Sequence, residues 1–253
     1  MNTVLVETNG PVKTIWMNRP EKRNAMDSTM RRDMTAALRT PPRDGDRVVV
    51  IRGKGGAFCS GLDMAERSRT IGSGEASGIE DLLRAVELCP LPVVAVVQGD
   101  AIAGGNELAL HCDLVIASDT ARFGMSLAQV GLAPNWFLAK KLMEVLGPVM
   151  TREMLLLGDP LPATRLHALG MIARCVPADQ LDAEAAKIIG RLAANAPLSL
   201  KAMKAMTVRQ LEFRDSIAHD DVDALVRAAI QSEDAQEGMR ARLERRRPAF
   251  RGV

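Results

Sequence analysis

The chain has 253 residues, 47% hydrophobic and 25% charged, with a formal net charge of +2. That is an ordinary globular composition, long enough for one large domain or a domain plus an extension, and it gives no bulk-electrostatic case for a nucleic-acid partner. No run approaches the roughly 18 apolar residues of a membrane span, and the start, MNTVLVETNG, lacks the basic and apolar regions of a signal peptide. Cys59, Cys89, Cys112 and Cys175 are scattered without CxxC spacing, and the three histidines have no metal-ligand spacing. The expectation is a cytoplasmic protein with reduced thiols, no metal and no membrane or nucleic-acid partner. The absence of tyrosine excludes a tyrosine acid.

In chain order, Val4–Val6 and Val12–Met17 read as strands of a hairpin around Asn9-Gly10-Pro11. Met26, Met30, Met34, Ala37 and Leu38 recur at helical spacing, which predicts a helix over 24–38. Val48–Ile51 is an all-apolar β-branched run, hence a strand covered on both faces. RGKGGAFCSGLDM (52–64) follows it. It has neither the Gly-Lys-Ser/Thr of a phosphate loop nor the GxGxxG of a dinucleotide site. What remains is a loop turning sharply at Ser60-Gly61 and presenting the N–H of Leu62, or an ordinary surface loop. Ser68–Gly78 is rich in Gly and Ser and reads as mobile. Ile79–Cys89 is an amphipathic helix stopped by Pro90.

The stretch 91–117, LPVVAVVQGDAIAGGNELALHCDLVIA, organises the rest. Val93–Val97 and Leu114–Ala117 read as buried strands. Between them, a small-residue turn at Ala103-Gly104-Gly105 leads into a helix expected to begin near Asn106. Glycine permits close approach, and helix-start N–H groups lack partners, so Gly104 and Gly105 can present donors to a ligand oxygen. Glu107 lies in the first turn beside them. An oxyanion site next to a carboxylate suits enolate chemistry, although a first-turn Glu also serves as a helix-dipole partner.

Further on, 125–137 lacks periodicity, 138–146 reads as a helix ended by Gly147-Pro148, and 151–157 as another. A helix over 162–169, a short strand over 172–176 and a helix over 181–196 follow. After Pro197 the strand signal disappears: helices are predicted over 198–212, 215–232 and 233–247, the last ending in the basic run ERRRPAFRGV. A strand-free helical tail on an α/β body suggests an oligomer contact or a lid. Its basic end suits either solvent or a phosphate-bearing ligand.

Five stretches occur together and in order: NRPEKRNAM (18–26), GAFCSGLDM (56–64), PVVAVVQGDAIAGGNELALHCDLVIA (92–117), ARFGMSLAQVGL (121–132) and EGMRARLERRRPAFRG (237–252). Over essentially its whole length the chain resembles the crotonase superfamily, the enoyl-CoA hydratase/isomerase family. The resemblance implies an α/β fold, a spiral of ββα repeats, with a C-terminal helical region that mediates trimers, often stacked as hexamers. It divides the chain into a core over 1–196 and a helical region over 197–253 serving oligomerisation and part of the CoA site. It implies an acyl-CoA thioester as substrate, with CoA belonging to that substrate rather than acting as a cofactor. Two backbone N–H groups that hold a thioester enolate fall on Leu62 and Gly104, and one hydratase carboxylate falls on Glu107. The CoA contacts fall on Lys22, Arg23, the backbone of Ser60, Gly61, Leu62, Asp63 and Met64, and Arg245 of the same or a neighbouring subunit.

One departure matters. Typical hydratases carry a second Glu in an FGxxE pattern; here the segment reads FGMSL and the position is Leu127. Gln129 and Asn135 can orient water without exchanging a proton. His111, one helical turn after Glu107, can titrate but also suits packing behind the helix. The expected activity is enoyl-CoA hydration with Glu107 as acid/base. The alternatives are double-bond isomerisation, another activity of the same fold, or an acyl-CoA binding protein with little catalysis.

Overall fold

The computed structural model describes residues 2–70 and 78–252. Its main sheet has the order β1 (Val4–Asn9), β2 (Val12–Met17), β3 (Val48–Gly53), β4 (Val93–Val97), β6 (Leu114–Ser118), β9 (Arg174–Val176). The β1–β2 hairpin is antiparallel and every other pairing is parallel. The all-apolar runs of β3 and β4 follow from burial of both faces. Val49, Ile51, Val93, Ala95 and Val97 join the larger core, while Val48, Val50, Val94 and Val96 face the other way onto Leu181 and Ala185 of α7 (Leu181–Ala194). Removing both faces from water at about 25 cal/mol per Å² of apolar surface is what fixes these strands at the centre.

The larger core is closed by α1 (Ser28–Arg39), α3 (Ile79–Leu88), α4 (Gly104–His111) and α5 (Trp136–Arg152). Helix α1 is capped by Asp27, whose side chain accepts from the Met30 N–H. Its buried face is Met30, Met34, Thr35 and Leu38, close to the expected stripe. Helix α5 breaks at Gly147 (φ 68°, ψ 175°), where Gly147-Pro148 was expected to stop it, and a π-helical turn over Glu153–Leu157 continues the chain. Helix α6 (Ala163–Ala168) precedes β9.

Three features were not read from the sequence. A second sheet joins β5 (Ala101–Ile102), β7 (Arg122–Gly124) and β8 (Leu161–Pro162). These strands are two or three residues long, too short to show alternation. The expected mobile segment overlaps α2 (Met64–Thr70), so Ser68 to Thr70 are helical; its residues 71–77 lie outside the described residues. Helix α4 begins at Gly104, two residues before the expected start, because Ala103 makes the turn with φ 50° and ψ −117°.

After residue 197 the described chain is helical: α8 (Pro197–Leu211), α9 (Asp220–Gln231) and α10 (Glu233–Leu243). Lys204 docks α8 onto the body, donating to the carbonyls of Val86 (3.0 Å) and Leu91 (3.2 Å) and to Asp113 (2.7 Å). Helix α10 stops four residues short of the expected Arg247 because the tail folds back: Arg246 binds Glu237 at 2.5 and 2.8 Å and Glu244 at 2.6 Å. Its own approach to the body depends on Gly238, where a Cβ would lie 2.4 Å from the Val130 carbonyl group. No described helix is long and apolar enough to cross a membrane.

Candidate functional site

The two loops expected to offer backbone donors are built against each other. Phe58 and Cys59 donate to the Asp100 carbonyl at 3.1 Å each, and Ile102 returns a bond to Cys59 O at 2.9 Å. At Gly61 (φ 97°) the first chain turns away, in a conformation that suits glycine. A Cβ there would sit 3.0 Å from Ile102 O, 3.2 Å from Ala103 Cβ and 3.3 Å from Gly104 N. The turn at 61 and the start of α4 are therefore in contact.

Leu62 then pairs with Met26 in a parallel bridge: Met26 N–H donates to Gly61 O (2.8 Å) and Asp63 N–H donates to Met26 O (3.0 Å). In that pattern the bonded groups belong to residues 61 and 63, and the N–H of Leu62 points away from Met26. Across from it, Ala103 donates to Gly124 O (2.7 Å), and its left-handed turn leaves the N–H of Gly104 as the first donor of α4, with no intrahelical acceptor. Ala103 carries a φ/ψ pair that costs of the order of 1–3 kcal/mol outside glycine, which the surrounding bonds sustain. Leu62 and Gly104 line one cavity of about 140 Å³. Its walls are apolar where Met64, Ile79, Met125, Leu127 and Leu138 enter, and polar at Ser60, Ser126 and Gln129.

Glu107 is fully enclosed, at 0% exposure, and is not among the residues lining that cavity. Neither carboxylate oxygen has a hydrogen-bond partner among the described residues. Burial drives its pKa well above the usual carboxylate range, with Lys141 pulling weakly the other way. Burial thus favours the protonated form over the ionised one, and its missing partners are of the kind that a ligand or water supplies.

His111 lies behind it. Its Nδ1 donates to the Glu107 carbonyl at 2.8 Å, and its Nε2, without a hydrogen-bond partner among the described residues, stands 3.9 Å from Glu87, which binds Lys141 at 2.7 Å. Burial pulls the imidazole pKa down to about 4, against the opposing field of Glu87, so His111 is neutral. It lines a separate cavity of about 330 Å³ behind α4, with Lys140, Lys141 and Glu144, and not the one with the two donors.

Of the residues expected to contact CoA, Lys22, Arg23 and Ser60 are drawn together: Ser60 N–H donates to Arg23 O at 3.0 Å and Ser60 Oγ to Lys22 O at 3.4 Å. Buried Asn24 fixes that loop by donating to the carbonyls of Lys54 and Ala57, both at 2.9 Å. Arg23 is bound to Asp100 at 2.7 Å, which also holds Arg122. Asp63 caps α2 through the N–H groups of Ala65 (3.0 Å) and Glu66 (3.2 Å) and binds Arg19 at 3.0 Å. Burial opposes ionisation there, yet those bonds hold its pKa below the ordinary value. Arg245, exposed just beyond α10, does not line the donor cavity; Arg242, three residues earlier, does, as does Arg67. Neither Arg67 nor Arg242 was expected. The signal for Arg67 was its place three residues after Met64, on one helical face, once α2 is known to be a helix.

With that geometry in place, comparison with known proteins is informative. A sequence profile described as Enoyl-CoA hydratase/isomerase matches residues 7–253. The enoyl-CoA hydratase EchA19 of Mycobacterium tuberculosis is 32% identical over 255 residues, covering 97% of this chain and 95% of that protein. The crystal structure of an enoyl-CoA hydratase from Mycobacterium avium subsp. paratuberculosis K-10 superposes with a TM-score of 0.84 at 30% identity, covering 98% of each chain. A methylmalonyl-CoA decarboxylase in complex with 2-nitronate-propionyl-CoA superposes with a TM-score of 0.90 at 26% identity, covering 99% of each. The fold is the α/β fold of these proteins, C-terminal helices included, and the chain belongs to the enoyl-CoA hydratase/isomerase family.

Proposed function

We propose that the protein is an acyl-CoA enzyme that stabilises a thioester enolate, acting as an enoyl-CoA hydratase with Glu107 as its acid/base. The observation that carries this reading is the pair of backbone donors, Leu62 and Gly104, unpartnered among the described residues and on touching loops that open on one cavity. A thioester oxygen between them accepts from both. As water adds to the β-carbon, the electron pair of the double bond moves onto that oxygen, and the two donors stabilise the growing charge in a site with little water. Collapse of the enolate takes the Glu107 proton onto the α-carbon. The carboxylate left behind accepts the proton shed by the added water, and the cycle closes. Glu107 is enclosed and is not among the residues lining the cavity, so this role requires that the seated acyl group bring its α-carbon within proton-transfer reach. The CoA moiety extends over Lys22, Arg23, the 60–64 backbone and the basic end of the chain at Arg245, and residues 197–253 complete the site and mediate a trimer or hexamer. Exposed Leu198, Phe213 and Leu225 in that region suit an interface between copies.

The replacement of a second carboxylate by Leu127 favours a second reading, double-bond isomerisation, in which one group carries a proton between two carbons. The test is turnover of crotonyl-CoA, followed by loss of the conjugated thioester absorbance, against 3-enoyl-CoA conversion to the 2-isomer. Glu107→Gln should abolish turnover while leaving butyryl-CoA affinity within about threefold. Full activity in Glu107→Gln removes Glu107 from the mechanism. Tight butyryl-CoA binding with no wild-type turnover of either substrate makes the protein an acyl-CoA binder.

A further inference from the structure

The donor cavity carries two guanidinium groups and no carboxylate among its described lining residues. Arg67 enters from α2 and Arg242 from α10, which packs against α2. Neither side chain has a hydrogen bond or ion pair among the described residues. The neighbouring arginines are committed elsewhere: Arg19 binds Asp27 and Asp63, and Arg31 binds Glu66 at 2.9 Å and the Met26 carbonyl at 2.7 Å. Glu66, the acid nearest in sequence, is spent on Arg31 and the Ser28 N–H.

Arg67 is half-buried, and burial together with the like charge of Arg31 pushes its pKa down. Among the described residues this cation lacks the counter-charge that partly buried guanidinium groups normally have. The remaining wall, from Met64, Ile79, Met125, Leu127 and Leu138, is that of an acyl pocket, and about 140 Å³ admits only a short chain.

We propose that the acyl group taken by this cavity ends in a carboxylate held by Arg67 and Arg242, so that the substrate class is a short carboxyacyl-CoA thioester. The inference rests on the acyl-CoA reading above and adds the nature of the acyl end. The geometry of a guanidinium suits a carboxylate bidentately, and half-buried Arg67 and exposed Arg242 line the same cavity, so one anion seated there can meet both. The phosphates of CoA offer related anionic chemistry, and the experiment separates the two sources.

The affinities of glutaryl-CoA and pentanoyl-CoA, which share the CoA moiety and the five-carbon chain, are measured by calorimetry on the full-length protein. Wild type should bind glutaryl-CoA at least about tenfold more tightly. Arg67→Met should erase that preference and leave pentanoyl-CoA within about threefold of wild type, Arg67→Lys should keep part of it, and Arg242→Gln should reduce it. Retained pentanoyl-CoA binding shows that the variants fold. Equal or tighter wild-type binding of pentanoyl-CoA overturns the proposal while sparing the acyl-CoA reading. Equal weakening of both thioesters in Arg67→Met also overturns it, assigning the guanidinium to the CoA phosphates. Binding of neither thioester overturns both.

Discussion

Replacing Glu107 by Gln should stabilise the protein by an amount that grows with pH. The Glu107 carboxyl is fully enclosed, neither of its oxygens is hydrogen-bonded among the described residues, and burial holds its pKa well above that of an unfolded chain, about 4.3. Between those two pKa values the folded state binds one more proton than the unfolded state. Stability therefore falls as pH rises, by about 1.4 kcal/mol per unit, until the folded carboxyl ionises. His111 acts in the opposite sense. Its folded pKa is near 4, against 6.5 when free, so over that interval the unfolded state binds the extra proton and stability rises with pH at the same slope. In the wild type the two slopes oppose each other above about pH 4.3, for as long as Glu107 stays protonated in the folded state, and the His111 contribution ends near pH 6.5. Gln is the same size as neutral Glu and does not titrate. The variant should therefore match wild type near pH 4, gain stability up to about pH 6.5, and then level off. Each kcal/mol corresponds to roughly 2–4 °C in Tm for a chain of this length. Thermal and urea unfolding of both proteins from about pH 4.5 to about pH 8 reads the difference. Parallel profiles would mean that Glu107 titrates normally in the folded protein, and the neutral-acid role would be lost with it.

Three further outcomes follow from the packing. Gly61→Ala places a Cβ 3.0 Å from Ile102 O and 3.3 Å from Gly104 N at a φ of 97°, so it should shift both donors; turnover should drop about 10²- to 10³-fold with a stability loss of only about 1–2 kcal/mol, and unchanged kcat would refute the donor assignment. Lys204→Met leaves the Asp113 carboxylate and the carbonyls of Val86 and Leu91 without their cation, at a cost of about 2–4 kcal/mol in urea unfolding; a loss under about 0.5 kcal/mol would show that α8 docks by other means. Leu127→Glu should raise crotonyl-CoA hydration at some cost in Tm, and a folded variant with no gain would show that position 127 does not face the reacting carbons.

What could be read from the sequence follows from where each signal resides. Strands β3 and β4 were legible because burial on both faces demands continuous β-branched runs, and α1 because its methionines repeat at helical spacing. The second sheet was not, since strands of two or three residues are held by neighbours such as Gly124 and Pro162 rather than by their own pattern. The start of α4 was misplaced by two residues because the turn at Ala103 uses a conformation that alanine rarely adopts, and propensity cannot foresee it. At the site, the donor loops at 62 and 104 were legible as glycine turns. That Glu107 would be enclosed, outside the lining of the donor cavity, was not, because helical periodicity gives a face without saying what covers it. Arg67 and Arg242 belong to helices far apart in sequence, and only packing of α10 on α2 gives them a common cavity.

Those two arginines and Leu127 bear on one another. A second carboxylate at position 127 would share the cavity with both guanidinium groups, where it would be drawn into an ion pair and have its pKa held down. Such a group would serve as a base for the attacking water rather than as a proton donor, and it would also occupy the charges that an anionic acyl end needs. The cavity can therefore carry a second hydratase carboxylate or an anion clamp, but each weakens the other. With Leu127 the wall beside residues 62 and 104 stays apolar, both cations keep no partner among the described residues, and the proposed mechanism leaves proton transfer to Glu107, whose burial raises its pKa. In the proposed mechanism an enclosed site also strengthens the pull of the Leu62 and Gly104 N–H groups on a developing oxyanion, since fewer waters compete for it. On this account Leu127→Glu should increase hydration of crotonyl-CoA and, in the same protein, lower the affinity for glutaryl-CoA. If the gain in hydration came with an undiminished glutaryl-CoA preference, position 127 and the two arginines would be electrostatically independent.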